Sequence, residues 1–234
     1  MINLIKNEFI KLGKVKFIGS HLVFLVSIII YYYVNKKVIT EDFILSLIPF
    51  IGVVLSITFC SIMSSEYTKG TFRIYLTKPV KRTKIYISKL LTIFLTLFSI
   101  LLHNLTIYAL FTQSISVNFT TKYISYSHSL VLISIIIIML STIIKSSSLI
   151  SGIIILLLTF GFALFELLTL TNLKFLEYTF LPYLDLNMLS KIDMINDSLN
   201  TSLSLKKSIF VVLFYSVLFF IIGIITFNKK DIKN

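Results

Sequence analysis

Apolar positions in this chain gather into six long runs separated by short polar stretches, with an amphipathic segment ahead of the first. The runs cover about Phe17–Val34, Phe43–Met63, Leu90–Phe111, Ser129–Ile144, Ser148–Leu170 and Ser208–Phe227. Each is near the roughly 20 residues that an α-helix needs to cross the hydrocarbon core, the fourth being the shortest. The pattern predicts an all-α membrane protein with six transmembrane helices in one domain, 1–234. Only Lys145 and the serines 146–148 separate the fourth and fifth runs. One continuous helix would bury Lys145 at mid-length, at a cost of several kcal/mol, so a tight hairpin is expected.

Residues 1–16 place Ile2, Ile5, Phe9 and Leu12 at helical spacing, with Asn3, Lys6, Asn7, Lys11 and Lys14 opposite. That predicts a helix lying in the membrane interface. A cleavable signal peptide does not fit, because the first run ends in Tyr31, Tyr32, Tyr33 and Lys36-Lys37 rather than a small-residue cleavage site. The stretch 172–207 is the longest between two runs. Its Phe175, Leu176, Phe180, Leu181, Leu184 and Leu186 stand among acids and Pro182. It is too apolar for a solvated linker, and short helices lying on or dipping into the outer interface are expected.

Composition agrees with the pattern. The chain is 56% hydrophobic and 14% charged, whereas soluble domains are about half apolar and about a quarter charged. Trp is absent, so Tyr must supply most of any interfacial aromatic belt. Cys60 is alone and sits in an apolar run. The net charge of +12 has no soluble domain to hold a nucleic acid, and that partner is excluded. Its distribution speaks of orientation instead. With both termini in the cytoplasm, inner segments carry fifteen basic residues against Glu8, Glu66 and Asp231. Outer segments carry seven basic residues and six acids, which satisfies the positive-inside rule.

The most organised polar stretch, EYTKGTFRIYLTKPVKRTKIYISKL, runs from Glu66 to Leu90 within a cytoplasmic loop at 64–89. Seven basic residues (Lys69, Arg73, Lys78, Lys81, Arg82, Lys84 and Lys89) accompany Glu66 as the single acid. Membrane retention and interfacial contact account for Lys81, Arg82, Lys84 and Lys89. They do not account for the early acid, for Gly70, or for Tyr67, Phe72, Ile74 and Tyr75 alternating with polar groups. Such a pattern suits an amphipathic helix presenting aromatics to a protein groove.

Glu66, Gly70, Thr71, Pro79, Arg82, Thr83 and Lys89, together with the opening MINLIKNEFIKLGKVK, resemble the permease subunits of type 2 ABC transporters. Short bacterial exporters of antimicrobial or amphipathic peptides (bacitracin, lantibiotic-immunity and modulin types) are the members it looks like. The resemblance covers about residues 1–20 and 60–92. It implies a coupling helix docking on a separate cytoplasmic ABC ATPase, carried here by Glu66, Tyr67, Gly70, Thr71, Phe72 and Arg73. It also implies a dimer with a second copy or a similar permease, and re-entrant helices in the outer loop. ATP and Mg would be bound by the partner, because no G-x-x-x-x-G-K-[ST] motif occurs here.

Within the spans, Glu166 interrupts GFALFELLTL, and His103-Asn104 interrupts the third run. Intramembrane ionisable groups are candidates for a translocation path. The competing readings are an interfacial Glu166, reaching water or Lys174, and inter-helix hydrogen bonding for His103-Asn104 and for the other histidines, His21 and His128. No nucleophile–base cluster or metal motif is visible, so an enzyme is not expected. The expectation is a multi-pass permease in the cell membrane of a bacterium, in contact with membrane lipids and exporting amphipathic peptides. Its Ile, Lys and Asn richness fits an AT-rich genome. The alternatives are a lipid or lipid-linked saccharide exporter, or a non-transporting scaffold or sensor that recruits a cytoplasmic partner.

Overall fold

A computed structural model of the chain describes residues 1–35, 38–68, 80–112, 116–169, 174–184, 192–199 and 201–229, except for the side chains of Thr68, Lys174 and Met194. Among these residues the ordered elements are all helical. They are α1 (Ile2–Leu12), α2 (Lys14–Val34), α3 (Glu41–Ser46), α4 (Ile48–Phe59), α5 (Ser61–Thr68), α6 (Arg82–Thr112), α7 (Val117–Ser127), α8 (Ser129–Ile143), α9 (Ser147–Thr169), a 3₁₀ turn (Lys174–Tyr178), α10 (Ile192–Leu199) and α11 (Leu205–Lys229). Six of the resulting spans are long and apolar enough to cross a membrane: Lys14–Val34, Glu41–Tyr67, Arg82–Thr112, Val117–Ile143, Ser147–Thr169 and Leu205–Lys229. This is an all-α multi-pass membrane protein.

Two spans are built from jointed pieces. The second breaks at Leu47, just ahead of Pro49 in the first turn of α4, and again at Cys60. Proline is tolerated there because the N–H it lacks would be unpaired at a helix start. The fourth is longer than its sequence suggests. It begins at Val117 rather than Ser129, because Phe119, Tyr123 and Tyr126 bury one stripe of α7 while Asn118, Thr121 and Lys122 cover the other. The expected hairpin is present. Ile144 leaves the helix in an extended conformation (ψ 134°), and Lys145 is exposed in the turn.

The second, third and fourth spans form the centre of the bundle. α2, α9 and α11 lie around it, each burying a single face. Their other faces carry Leu22, Val26 and Ile30, then Leu156, Phe160 and Leu167, then Phe210, Phe214 and Ile221. These are the surfaces acyl chains would cover. At α11 the packing is set by a glycine. The Tyr86 ring of α6 lies against Phe220 and Phe227, and a Cβ added to Gly223 would sit 2.1 Å from its Oη.

The segment between the fifth and sixth spans enters the bundle. Phe180 packs edge-on against Tyr215 and Phe219 of α11, at 5.2 and 5.6 Å. The Leu181 carbonyl and the Leu184 side chain face Gly161. Gly161 lies eight residues inside the Thr169 end of α9, which is about 12 Å along the axis. Residues 180–184 therefore dip well below the level at which α9 ends, and α10 follows the dip.

Candidate functional site

Four charged side chains from three helices close into a ring at the base of α6. Lys89, fully buried, donates to Glu8 Oε2 at 2.7 Å, to Glu66 Oε1 at 2.9 Å and to the Ile62 carbonyl at 3.0 Å. Lys11 joins the same carboxylates from the opposite side, at 2.6 Å to Glu66 Oε1 and 3.3 Å to Glu8 Oε1. Signs alternate around the ring and its formal charge is zero. Glu8 and Glu66 are buried, whereas the Lys11 side chain is 44% exposed, so the ring is wet at one corner.

Each member is placed by its helix. α1 packs along the lower part of α6 and turns into α2 at Gly13, whose φ of 78° and ψ of 144° suit a residue without a Cβ. Glu8 lies in the middle of the Ile5–Phe9–Leu12 stripe of α1 and points inward with it. Lys89 lies seven residues above Arg82 on α6, about 10 Å from the helix start. Glu66 is on the last turn of α5, just before the segment 69–79. An isolated buried ammonium would cost several kcal/mol, and two carboxylates with a carbonyl offset that cost.

These positions change two sequence expectations. Lys89, expected at the interface, is sealed inside the protein. Glu66, expected on a docking face, turns inward towards lysines of its own chain, and Tyr67 beside it is half-buried against the core. Gly70, Thr71, Phe72 and Arg73 lie outside the described residues.

The other polar candidates form separate groups. Glu166 is exposed three residues before the end of α9, and its carboxylate has no partner among the described residues. Asn104 is buried with Oδ1 unpartnered, beside a half-buried His103. Among the described residues the His103 ring has no hydrogen-bond partner on a neighbouring helix; it meets the ring of His21 on α2, with centroids 5.4 Å apart. The inter-helix bonding expected of the other histidines is present. His21 Nε2 lies 3.0 Å from Ser99 Oγ, and His128 Nε2 lies 2.8 Å from Ser208 Oγ. His128 Nδ1 faces the Ser125 carbonyl, which only accepts, so Nδ1 carries the proton and Ser208 donates to Nε2.

A polar clasp between the 3₁₀ turn and the start of α11 had no counterpart in the sequence reading. Glu177 accepts from Lys207 Nζ at 2.9 Å, Ser202 Oγ at 2.7 Å and the Ser202 amide at 3.1 Å. Asn196 holds the next turn through the Leu203 amide and carbonyl, at 2.8 and 2.9 Å. Burial alone would raise the Glu177 carboxyl, but the bonds from Lys207 and Ser202 outweigh it and hold the group below its ordinary value. Burial, with the nearby Glu177 charge, pushes the Tyr183 phenol up. The clasp pins the dipping segment to the head of α11.

Residues 24–233 match the family described as "Protein of unknown function (DUF2705)". The chain belongs to that family. No curated protein and no solved structure matches it. The family span begins at Phe24, so Glu8 and Lys11 lie ahead of the matched region while Glu66 and Lys89 lie within it.

Proposed function

We propose that this chain is the permease subunit of an ATP-driven exporter in the cell membrane, pairing with a second permease and two cytoplasmic ABC ATPase subunits to move amphipathic peptides outward. The observation that carries this reading is the charge ring. Glu66 stands at the end of α5, where the chain enters the segment proposed to dock on the ATPase, and Lys89 is on the helix that follows that segment. A displacement of the segment is thereby passed to α6 through Lys89 and to α1 through Glu8 and Lys11. Glu66 acts in this scheme as a positioning residue, and the docking contact falls to Gly70, Thr71, Phe72 and Arg73. The lipid-facing surfaces, rich in Phe, Ile and Leu, suit a cargo that is itself partly apolar.

The test is ATP hydrolysis in lipid nanodiscs by the chain co-expressed with candidate ABC ATPases from the same genome, with amphipathic peptides added over a range of concentrations. Peptide stimulation is expected in the wild type. Phe72→Ala with Arg73→Ala should release the ATPase. Glu66→Gln should keep the complex and lose the stimulation. Failure of any ATPase to assemble with the wild-type chain would overturn the permease reading and favour a scaffold. A complex that hydrolyses ATP but ignores peptides would redirect the cargo assignment to lipid-linked molecules.

A further inference from the structure

The first span opens with two lysines set around an exposed apolar stripe. In α2 the buried positions are Ser20, Phe24 and Ile28, while Ile18, Leu22 and Val26 line the opposite, exposed face. Val15 continues that face one turn nearer the start of the helix and is 86% exposed. Lys14 and Lys16 are its chain neighbours, each turned from it by about 100° in a helix of 3.6 residues per turn. An exposed lysine therefore stands on either side of the stripe. Neither has an ion-pair partner among the described residues. The acids described at this end of the bundle are Glu8 and Glu66, and both are held inside the charge ring with Lys11 and Lys89. The exposed charges that remain there are basic, Lys6, Lys81, Lys84 and Lys145 among them.

We propose that this corner of α2 binds an anionic phospholipid, its phosphate held between Lys14 and Lys16 and an acyl chain laid along Val15, Ile18, Leu22 and Val26. The arrangement fits one molecule that is negative at one end and apolar along the rest. Leu22 lies about 12 Å beyond Lys14 along the helix axis, within reach of a chain whose headgroup rests on the lysines. An acidic protein segment would match the lysines but would leave the exposed valine between them, and the stripe that continues it, without a partner. Each lysine near a membrane surface favours an anionic headgroup over a zwitterionic one by about fivefold, and the pair together by about twentyfold. The proposal does not depend on the permease reading.

The chain contains no tryptophan, so an indole introduced at Leu22 reports on this site alone. Full-length Leu22→Trp is reconstituted in vesicles of equal amounts of phosphatidylglycerol and phosphatidylcholine. Bromine on the acyl chains of one lipid or the other quenches an indole that touches them. Brominated phosphatidylglycerol should quench more strongly, with a relative binding constant of about twentyfold over phosphatidylcholine. Phe160→Trp, on the exposed face of α9, reads lipid away from the lysine pair and should show little preference. In the Leu22→Trp chain, Lys14→Gln with Lys16→Gln should bring the ratio down to the Phe160→Trp value. Lys81→Gln with Lys84→Gln should leave most of it in place. All four lysines are exposed, and circular dichroism checks that the variants fold. Equal quenching of Leu22→Trp by the two lipids would overturn the proposal and leave the lysines to an acidic protein segment. So would a preference that survives the loss of Lys14 and Lys16, or one that falls as far when Lys81 and Lys84 are replaced.

Discussion

Replacing Lys89 with Met removes the ammonium that bridges two buried carboxylates and leaves its volume nearly filled. Among the described residues Glu8 and Glu66 then keep Lys11, whose side chain is 44% exposed. Breaking a buried ion pair by deleting one partner costs about 3–5 kcal/mol. Lys11 still neutralises part of the remaining charge, so the lower end of that range, about 3 kcal/mol, is expected. That is roughly a hundredfold change in the unfolding constant, at about 1.4 kcal/mol per decade. Replacing both acids as well, in Glu8→Gln/Glu66→Gln/Lys89→Met, removes the uncompensated charges and should recover most of the loss, since neutral substitutes for a buried ion cluster are often tolerated. The assay is equilibrium unfolding in mixed micelles, followed by circular dichroism, on wild type, single variant and triple variant. Two results would refute the reasoning. One is a Lys89→Met protein within about 0.5 kcal/mol of wild type, the spread of ordinary surface substitutions. The other is a triple variant no more stable than the single one.

The remaining predictions concern packing and pH. Gly223→Ala should lower stability by about 1–3 kcal/mol, because its Cβ would meet the Tyr86 hydroxyl at 2.1 Å, and Tyr86→Leu should restore part of the loss in thermal melts. Tyr86→Phe alone should change stability little, since the buried hydroxyl has no partner among the described residues. At Glu177 the folded carboxyl lies below its ordinary value of 4.5. Its contribution is therefore complete above that value and is lost as pH falls through the folded one. Hydrogen exchange should show the Ser202 amide losing protection at acid pH and in Glu177→Gln, while the Leu203 amide, held by Asn196, changes less.

The six spans were legible because each run of apolar residues is long enough to leave one interpretation. Their ends were less so. Asn118, Thr120, Thr121 and Lys122 made the first turns of the fourth span look like loop, although Phe119, Tyr123 and Tyr126 keep helical spacing through them. The charge ring was legible in part. Glu66 stood out as the single acid of a basic stretch, whereas Glu8, the second acid of the ring, did not. A lone carboxylate inside the Ile5–Phe9–Leu12 stripe is the signal that marks Glu8 for burial, because an acid on an apolar face needs a cation to meet it. Lys89 gave no comparable signal, since a lysine at the base of a span snorkels more often than it is sealed in. The Glu177 clasp could not be read either. Glu177, Ser202 and Lys207 are spread over thirty positions, and only folding brings them together.

The ring also sets an order of events at the ribosome. Glu8 is made 81 residues before Lys89, an interval of about 4–16 s at elongation rates of about 5–20 residues per second. Through that interval the first helix has Lys11 beside Glu8 but neither Lys89 nor its α6 packing surface. It can rest only on the lipid headgroups or on whatever accompanies the nascent chain. Glu66 emerges next, and Lys89 arrives last, to find both carboxylates already waiting. Attachment of the N-terminal helix is thus a late checkpoint of membrane insertion, reached only when the third span has been delivered the right way round.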